Sequence, residues 1–204
     1  MIQTGNLFLV SAPSGAGKTS LVNAALAQDT QLVVSVSHTT RPARGGEVDG
    51  ENYYFVDEQS FVQMIADDNF VEHANVFGKR YGTSKKEVET KRSAGKDVIL
   101  EIDWQGAQQV RDLMPEAVSI FILPPSIEEL TSRLTTRGED SAESIAKRLS
   151  EAKLDMSQAP NFEYLVINDD FDQAVRHFLS ITSSARLTKT VQLRRSSIQA
   201  LVGG

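Results

Sequence analysis

No cysteine occurs among the 204 residues, which excludes a disulfide framework and any thiolate metal centre and fits a reducing compartment. Long apolar runs are missing too. No stretch reaches the about eighteen apolar residues of a membrane span, and the N-terminus has neither the basic nor the apolar region of a signal peptide, so a cytoplasmic protein without a membrane partner is expected. Positive charge is in deficit: Lys and Arg total 21 against 27 Asp and Glu, a net charge of −6. That balance argues against a nucleic-acid partner, so any anion binding must rest on local clusters of Arg and Lys. There is no internal repeat and no low-complexity segment. What remains is an ordinary globular composition, 40% hydrophobic and 24% charged, long enough for one domain with inserted subdomains.

Against that background one stretch stands out, Leu7–Thr19. Its apolar opening, Leu7 to Val10, has the length of a buried strand. The run breaks at Pro13, Gly15 and Gly17, and Leu21, Val22, Ala25 and Leu26 continue as a helix. Strand, glycine turn and helix entrance is how a polyphosphate is cradled: glycines let backbone N–H groups approach the oxygens, and the helix N-terminus adds partial positive charge. Ala12, Pro13, Ser14, Gly15, Ala16, Gly17, Lys18 and Thr19 are therefore the expected phosphate-binding residues. Lys18 would reach the outer phosphates and the Thr19 hydroxyl would ligate Mg²⁺. Ala12 stands where the full pattern has glycine, at little cost if φ is negative there. The competing view, a glycine turn that binds nothing, is disfavoured by the flanking strand and helix.

Along the chain, Gln31–Thr40 is rich in β-branched residues and is expected as one strand. Arg41 to Gly50 forms a loop, Tyr53–Val56 a short strand, and Asp57 the cap of a helix facing inward through Phe61, Met64 and Ile65. Phe70–Phe77 and Arg80–Thr83 are expected as strands joined near Gly78. Ser84 with Glu87, Ser126 with Glu129, and Asp140 with Glu143 spell capping boxes. Asp97–Ile102, Val118–Leu123 and Tyr164–Ile167 supply further core strands, Gly106–Met114 a helix, and Asn168-Asp169-Asp170 the cap of a helix placing Phe171, Val175, Phe178 and Leu179 on one face. Strands alternating with helices predict an α/β fold, a parallel sheet with helices on both faces. The charged break at Arg137–Asp140 between two helices has the pattern of a lid.

Reaction class depends on what else converges on the turn. Arg41 and Arg44, with Tyr53 and Tyr81 downstream, suit a phosphate monoester, although a solvated basic loop would explain the arginines alone. Residues 35–53, Phe77–Thr83, Glu101 to Gly106 and Val166 to Asp170 resemble, in order and spacing, the guanylate kinases of bacterial type, P-loop nucleoside-monophosphate kinases; the likeness runs from about Leu7 to Arg186.

The resemblance implies a three-layer P-loop NTPase core with a parallel sheet (1–33, 84–125 and 158–186), a small mixed β GMP-binding insertion (34–83) and a helical lid (126–157). It implies transfer of the γ-phosphoryl of MgATP to GMP. Arg41, Arg44, Tyr53 and Tyr81 would grip the GMP phosphate, and Ser37, Glu72, Thr83 and Asp103 would surround the guanine. Arg133, Arg137 and Arg148 would join Lys18 and Arg41 in neutralising charge. Asn168 and Asp169 would lie near the adenine, and Glu101 or Asp103 would serve Mg²⁺ through water. Glu72 makes independent sense: guanine presents N1–H and a 2-amino group side by side, and one carboxylate accepts both, while adenine would set a lone pair against it. A solvent-facing strand position is the alternative for Glu72.

Two rivals remain. A non-catalytic guanylate-kinase-like binding module typically lacks the P-loop residues that are intact here, and a related kinase would take another acceptor. Residues 187–204, with Leu187, Val191, Ile198, Leu201 and Val202, permit an amphipathic helical extension that could pack on a neighbouring subunit, giving a monomer or small homo-oligomer. His38, His73 and His177 have no ligand spacing, and Trp104 is expected to pack rather than stack on a base.

Overall fold

Leu7 and Leu9 project to one face of strand β1 (Leu7–Ser11), Phe8 and Val10 to the other, and all four are buried. A strand apolar on both faces belongs in the middle of a covered parallel sheet. In this computed structural model, which describes residues 4–76, 78–135, 142–194 and 196–202, β1 pairs in parallel with β7 (Asp97–Glu101) and β8 (Val118–Leu123). The edges are β2 (Leu32–Val34) and β9 (Tyr164–Ile167), giving the order β2-β7-β1-β8-β9. Helices α1 (Lys18–Gln28) and α7 (Phe171–Arg186) bring Leu21, Val22, Val175 and Phe178 to the face holding Phe8 and Val10. Helices α3 (Lys85–Ser93) and α4 (Trp104–Leu113) bring Val88, Ala107 and Val110 to the opposite face. The expected three layers are present.

A second, mixed sheet has the order β4 (Tyr54–Phe55), β3 (His38–Thr39), β6 (Lys79–Ser84), β5 (Phe70–Val76). Helix α2 (Glu58–Ala66), capped by Asp57, packs Phe61 on Phe70 with ring centroids 4.7 Å apart. The expected single strand over 31–40 is two. Leu32–Val34 pairs with β7, whereas His38–Thr39 pairs with β4 and β6. Propensity is satisfied throughout, but the ladder partner changes at Val36, whose N–H goes to the Glu87 side chain at 2.9 Å.

That bond also explains why the first capping box is half made. Ser84 Oγ accepts the Glu87 N–H at 3.4 Å, while the Glu87 carboxylate serves Val36 and Lys91. Ser126 likewise caps α5 (Ile127–Thr135) through the Glu129 N–H at 3.1 Å, with the Glu129 carboxylate turned to Arg133. The cap expected at Asp140 and the break at Arg137 lie outside the described residues. Helix α4 starts earlier than expected, at Trp104, because Asp103 caps it. Trp104, half-buried, packs against the core cluster of Leu7 and Leu9 and also lines the cleft between this core and the second sheet. Of the Asn168-Asp169-Asp170 run only Asp170 caps α7. Helix α6 (Ala142–Ser157) packs Leu149, Ala152 and Met156 against Leu130 and Leu134 of α5.

At its C-terminal end α7 is tied down by Arg186, which pairs with Asp29 at 2.7 Å and with the buried Asp97. Beyond it come two short helices rather than one, α8 (Lys189–Gln192) and α9 (Ser196–Val202), with Leu201 and Val202 exposed. Among the described residues no helix is long and apolar enough to cross a membrane.

Candidate active site

The turn after β1 and the C-terminal end of β7 face the second sheet across a cleft of about 520 Å³. Gly15 and Gly17 have φ of 90° and 91°, the left-handed region that favours glycine. At Gly17 a Cβ would also come within 2.5 Å of Asn168 Nδ2, and at Gly15 it would meet Leu130 and Leu134. Gly17 precedes α1 with no side-chain cap, so the first-turn N–H groups are left for an anion. Ala12, Pro13, Ser14, Gly15, Gly17, Lys18 and Thr19 all line the cleft, whereas Ala16 is buried behind it. Lys18 Nζ donates to Ile102 O at 3.4 Å. Burial lowers the Lys18 pKa against the pull of Glu101, Asp103, Asp155 and Glu72.

Thr19 Oγ1 donates to Glu101 Oε2 at 2.9 Å. Asp103 is differently occupied: Oδ1 accepts the Gly106 N–H at 2.9 Å and Oδ2 the Gln105 amide at 3.0 Å. Both carboxylates line the cleft.

Across the cleft stand Ser37, Arg44, Tyr53, Glu72 and Tyr81. Glu72 is only 3% exposed, which removes the solvent-facing alternative. A register shift between Phe70 and Glu72 accounts for its direction: a bulge re-aims the side chains after it, so Phe70 packs on α2 while Glu72 turns to the cleft. Thr83 Oγ1, itself buried, donates to Glu72 Oε1 at 2.6 Å and lies 3.3 Å from Ser37 Oγ. Burial pushes the Glu72 pKa up to about 7, with Asp103 adding to the rise and the Thr83 hydrogen bond and Lys18 opposing it.

Arg41 does not line the cleft. Its guanidinium forks onto Glu47, Nη1 to Oε2 and Nη2 to Oε1, both at 2.8 Å, and lies 5.2 Å from the Tyr53 ring centroid. Glu47 also accepts the Arg44 N–H at 2.7 Å. The Arg41 fork and that N–H push the Glu47 pKa down to about 2.

Of the other arginines, Arg148 reaches the turn, Nη2 donating to Ser14 Oγ at 3.1 Å. Arg133 is bound to Glu129 and to Asn168 O at 3.2 Å, outside the cleft lining. Arg137 lies outside the described residues. Asn168 is buried beneath the turn, its amide donating to Ala16 O at 2.7 Å, and neither it nor the exposed Asp169 lines the cleft. Sequence reasoning missed Glu47, Glu151 and Asp155. The last two follow Arg148 at helical spacing and face the cleft from α6, a pattern that in sequence looks like a solvated helix surface. Burial, reinforced by Asp103 and Glu151, raises the Asp155 pKa to about 6.

A family model described as guanylate kinase matches residues 4–185. The guanylate kinase of Hahella chejuensis is 56% identical over 188 residues, covering 92% of this chain and 90% of the relative. That of Alkalilimnicola ehrlichii is 52% identical over 201 residues, covering 98% and 99%. Among solved structures, the guanylate kinase of Anaplasma phagocytophilum superposes with a TM-score of 0.77 at 34% identity, covering 92% of this chain and 89% of that one.

Proposed function

Since the chain belongs to the guanylate kinase family and transfers the γ-phosphoryl of ATP to GMP, giving ADP and GDP, we propose how the cleft divides that work. ATP binds with its phosphates on Gly15 to Thr19, and GMP binds with its phosphate among Arg44, Tyr53 and Tyr81, backed by Arg41. An oxygen of the GMP phosphate attacks the γ-phosphorus in line, the bond to the β–γ bridging oxygen breaks, and ADP leaves with that electron pair. No side-chain nucleophile is required, so the protein contributes positioning and charge neutralisation. Lys18 and Arg148 act at the transferring group, with Arg133 and Arg137 brought up by the lid.

Thr19 and Glu101 are hard oxygen donors 2.9 Å apart, which fits Mg²⁺, and we assign the water-mediated role to Glu101 because both Asp103 oxygens are engaged. Among the described residues no group of three or more His, Cys, Asp or Glu is placed to hold a metal ion. Mg²⁺ held by Thr19 directly and by Glu101 through water would supply charge neutralisation for the phosphates.

Ser37, Glu72, Thr83 and Asp103 surround the guanine. We take residues 34–83 as the GMP-binding subdomain, 126–157 as the lid that expels water, 187–204 as an extension, and the rest as core. Asn168 and Asp169 belong to the adenine end, Asn168 through its hold on the turn. The net charge of −6 supports nucleotides rather than nucleic acid as partners, and we take the protein as cytoplasmic, a monomer or small homo-oligomer.

The observation that carries this assignment is that the buried Glu72 and the half-buried Lys18 line one cleft. Its test is ADP release measured with GMP, AMP and UMP as acceptors. GMP should be preferred by several orders of magnitude, as sites built on polar pairing allow (~10⁴-fold). Preference for AMP or UMP would remove Glu72's role.

A further inference from the structure

Strand β5 is the outer strand of the second sheet, so the backbone groups on its free side need partners from outside that sheet. At His73 the partner is a side chain of the core. The His73 N–H donates to Gln109 Oε1 at 3.2 Å, and Gln109 Nε2 donates to His73 O at 2.9 Å. One amide thus completes the edge as a neighbouring strand would. Gln109 sits on α4 three residues after Gly106, on the same face. Gly106 is where the Glu72 carboxylate rests: a Cβ there would stand 2.5 Å from Glu72 Oε2. Glu72 is therefore wedged between the Thr83 hydroxyl and α4, and its neighbour His73 is bolted to that same helix. The bulge at Phe70–Glu72 interrupts the β5–β6 ladder just before Glu72, and the α4 contact holds the strand there from its other side.

We propose that Gln109 is a specificity-positioning residue, holding β5 against α4 at the depth where the Glu72 carboxylate meets both guanine donors. The proposal rests on the assignment of Glu72 to the base. Gln109 never touches the nucleotide; it acts through the His73 backbone.

The test compares GMP with IMP, whose base keeps N1–H but lacks the 2-amino group. Gln109→Met keeps length and bulk while removing both hydrogen bonds; Gln109→Glu keeps the acceptor for the His73 N–H and loses the donor. For Gln109→Met we expect KM for GMP to rise about tenfold, the GMP-to-IMP ratio of kcat/KM to fall by a similar factor, and kcat and KM for ATP to hold, with Gln109→Glu intermediate. An unchanged ratio in both variants overturns the proposal, as does an equal rise in KM for GMP and ATP, which marks general loosening of the fold. Glu72→Gln in the same assay separates the two claims. If it leaves the ratio intact, the assignment of Glu72 fails; if it lowers the ratio while Gln109→Met does not, only the role of Gln109 fails.

Discussion

The Thr83 hydroxyl donates to the Glu72 carboxylate at 2.6 Å, and both side chains are closed off from bulk water. A carboxylate so placed lacks its hydration shell, and the hydroxyl and backbone N–H of Thr83 do not replace it, so below about pH 7 the neutral form is favoured until a ligand brings further donors.

GMP binding should therefore tighten as pH rises through about 7, the value to which burial raises Glu72. Only the ionised carboxylate accepts from both guanine donors. Stability of the unliganded protein should move the other way. The folded pKa lies above the ordinary value of about 4.3, so the fold holds an extra proton between the two values and loses stability as pH climbs from about 4.3 to about 7. KM for GMP and the thermal midpoint, each followed against pH, should show these opposite slopes; in Glu72→Gln the KM slope should flatten, and the thermal slope should shrink to the part left by Asp155, raised to about 6.

Glu47 is expected to aim Arg41 rather than to block it. Glu47→Ala should raise KM for GMP about tenfold, near 1.4 kcal/mol, with kcat little changed. Since Arg41 and the Arg44 N–H hold the Glu47 pKa near 2, the wild-type-to-variant difference should be constant between about pH 5 and 9. A lower KM in the variant would mean that Glu47 competes with the phosphate for Arg41.

Asn168 should matter for ATP without contacting it. Asn168→Ala leaves the Ala16 carbonyl without the amide that now donates at 2.7 Å, a buried loss of about 1–3 kcal/mol. Chemical denaturation should report that destabilisation, and KM for ATP should rise while KM for GMP stays fixed.

Arg148→Ala should lower kcat by about 10³-fold, as arginines that stabilise a transferring phosphoryl group do, with GMP affinity measured by calorimetry unaltered. A normal turnover number would reduce the Ser14 contact to a surface hydrogen bond.

Much of the site could be read from local sequence, and the reasons differ from residue to residue. Gly15 and Gly17 announce themselves because only glycine accepts the left-handed backbone of a phosphate turn. Leu7 to Val10 reads as a buried strand because its apolar run has the right length. Glu72 was legible by resemblance and by guanine's donor pattern, but its burial was not, since a bulge rather than simple alternation sets its direction. The run over 31–40 misled because β-propensity says nothing about which strand lies alongside. Arg41 was found but not its partner Glu47, because a fork needs a loop folded back on itself.

By itself, then, the sequence determined most of the elements and the phosphate turn, set by backbone conformation and short-range pattern, and, through resemblance, the family. Only the tertiary structure decided that Arg41 is held by Glu47, that Asn168 supports the turn from beneath, and that Gln109 completes the edge of β5. Each of those depends on a hydrogen-bond partner fixed by how the strands and loops pack, and for Asn168 and Gln109 that partner lies far away in the chain, where no local periodicity could reveal it.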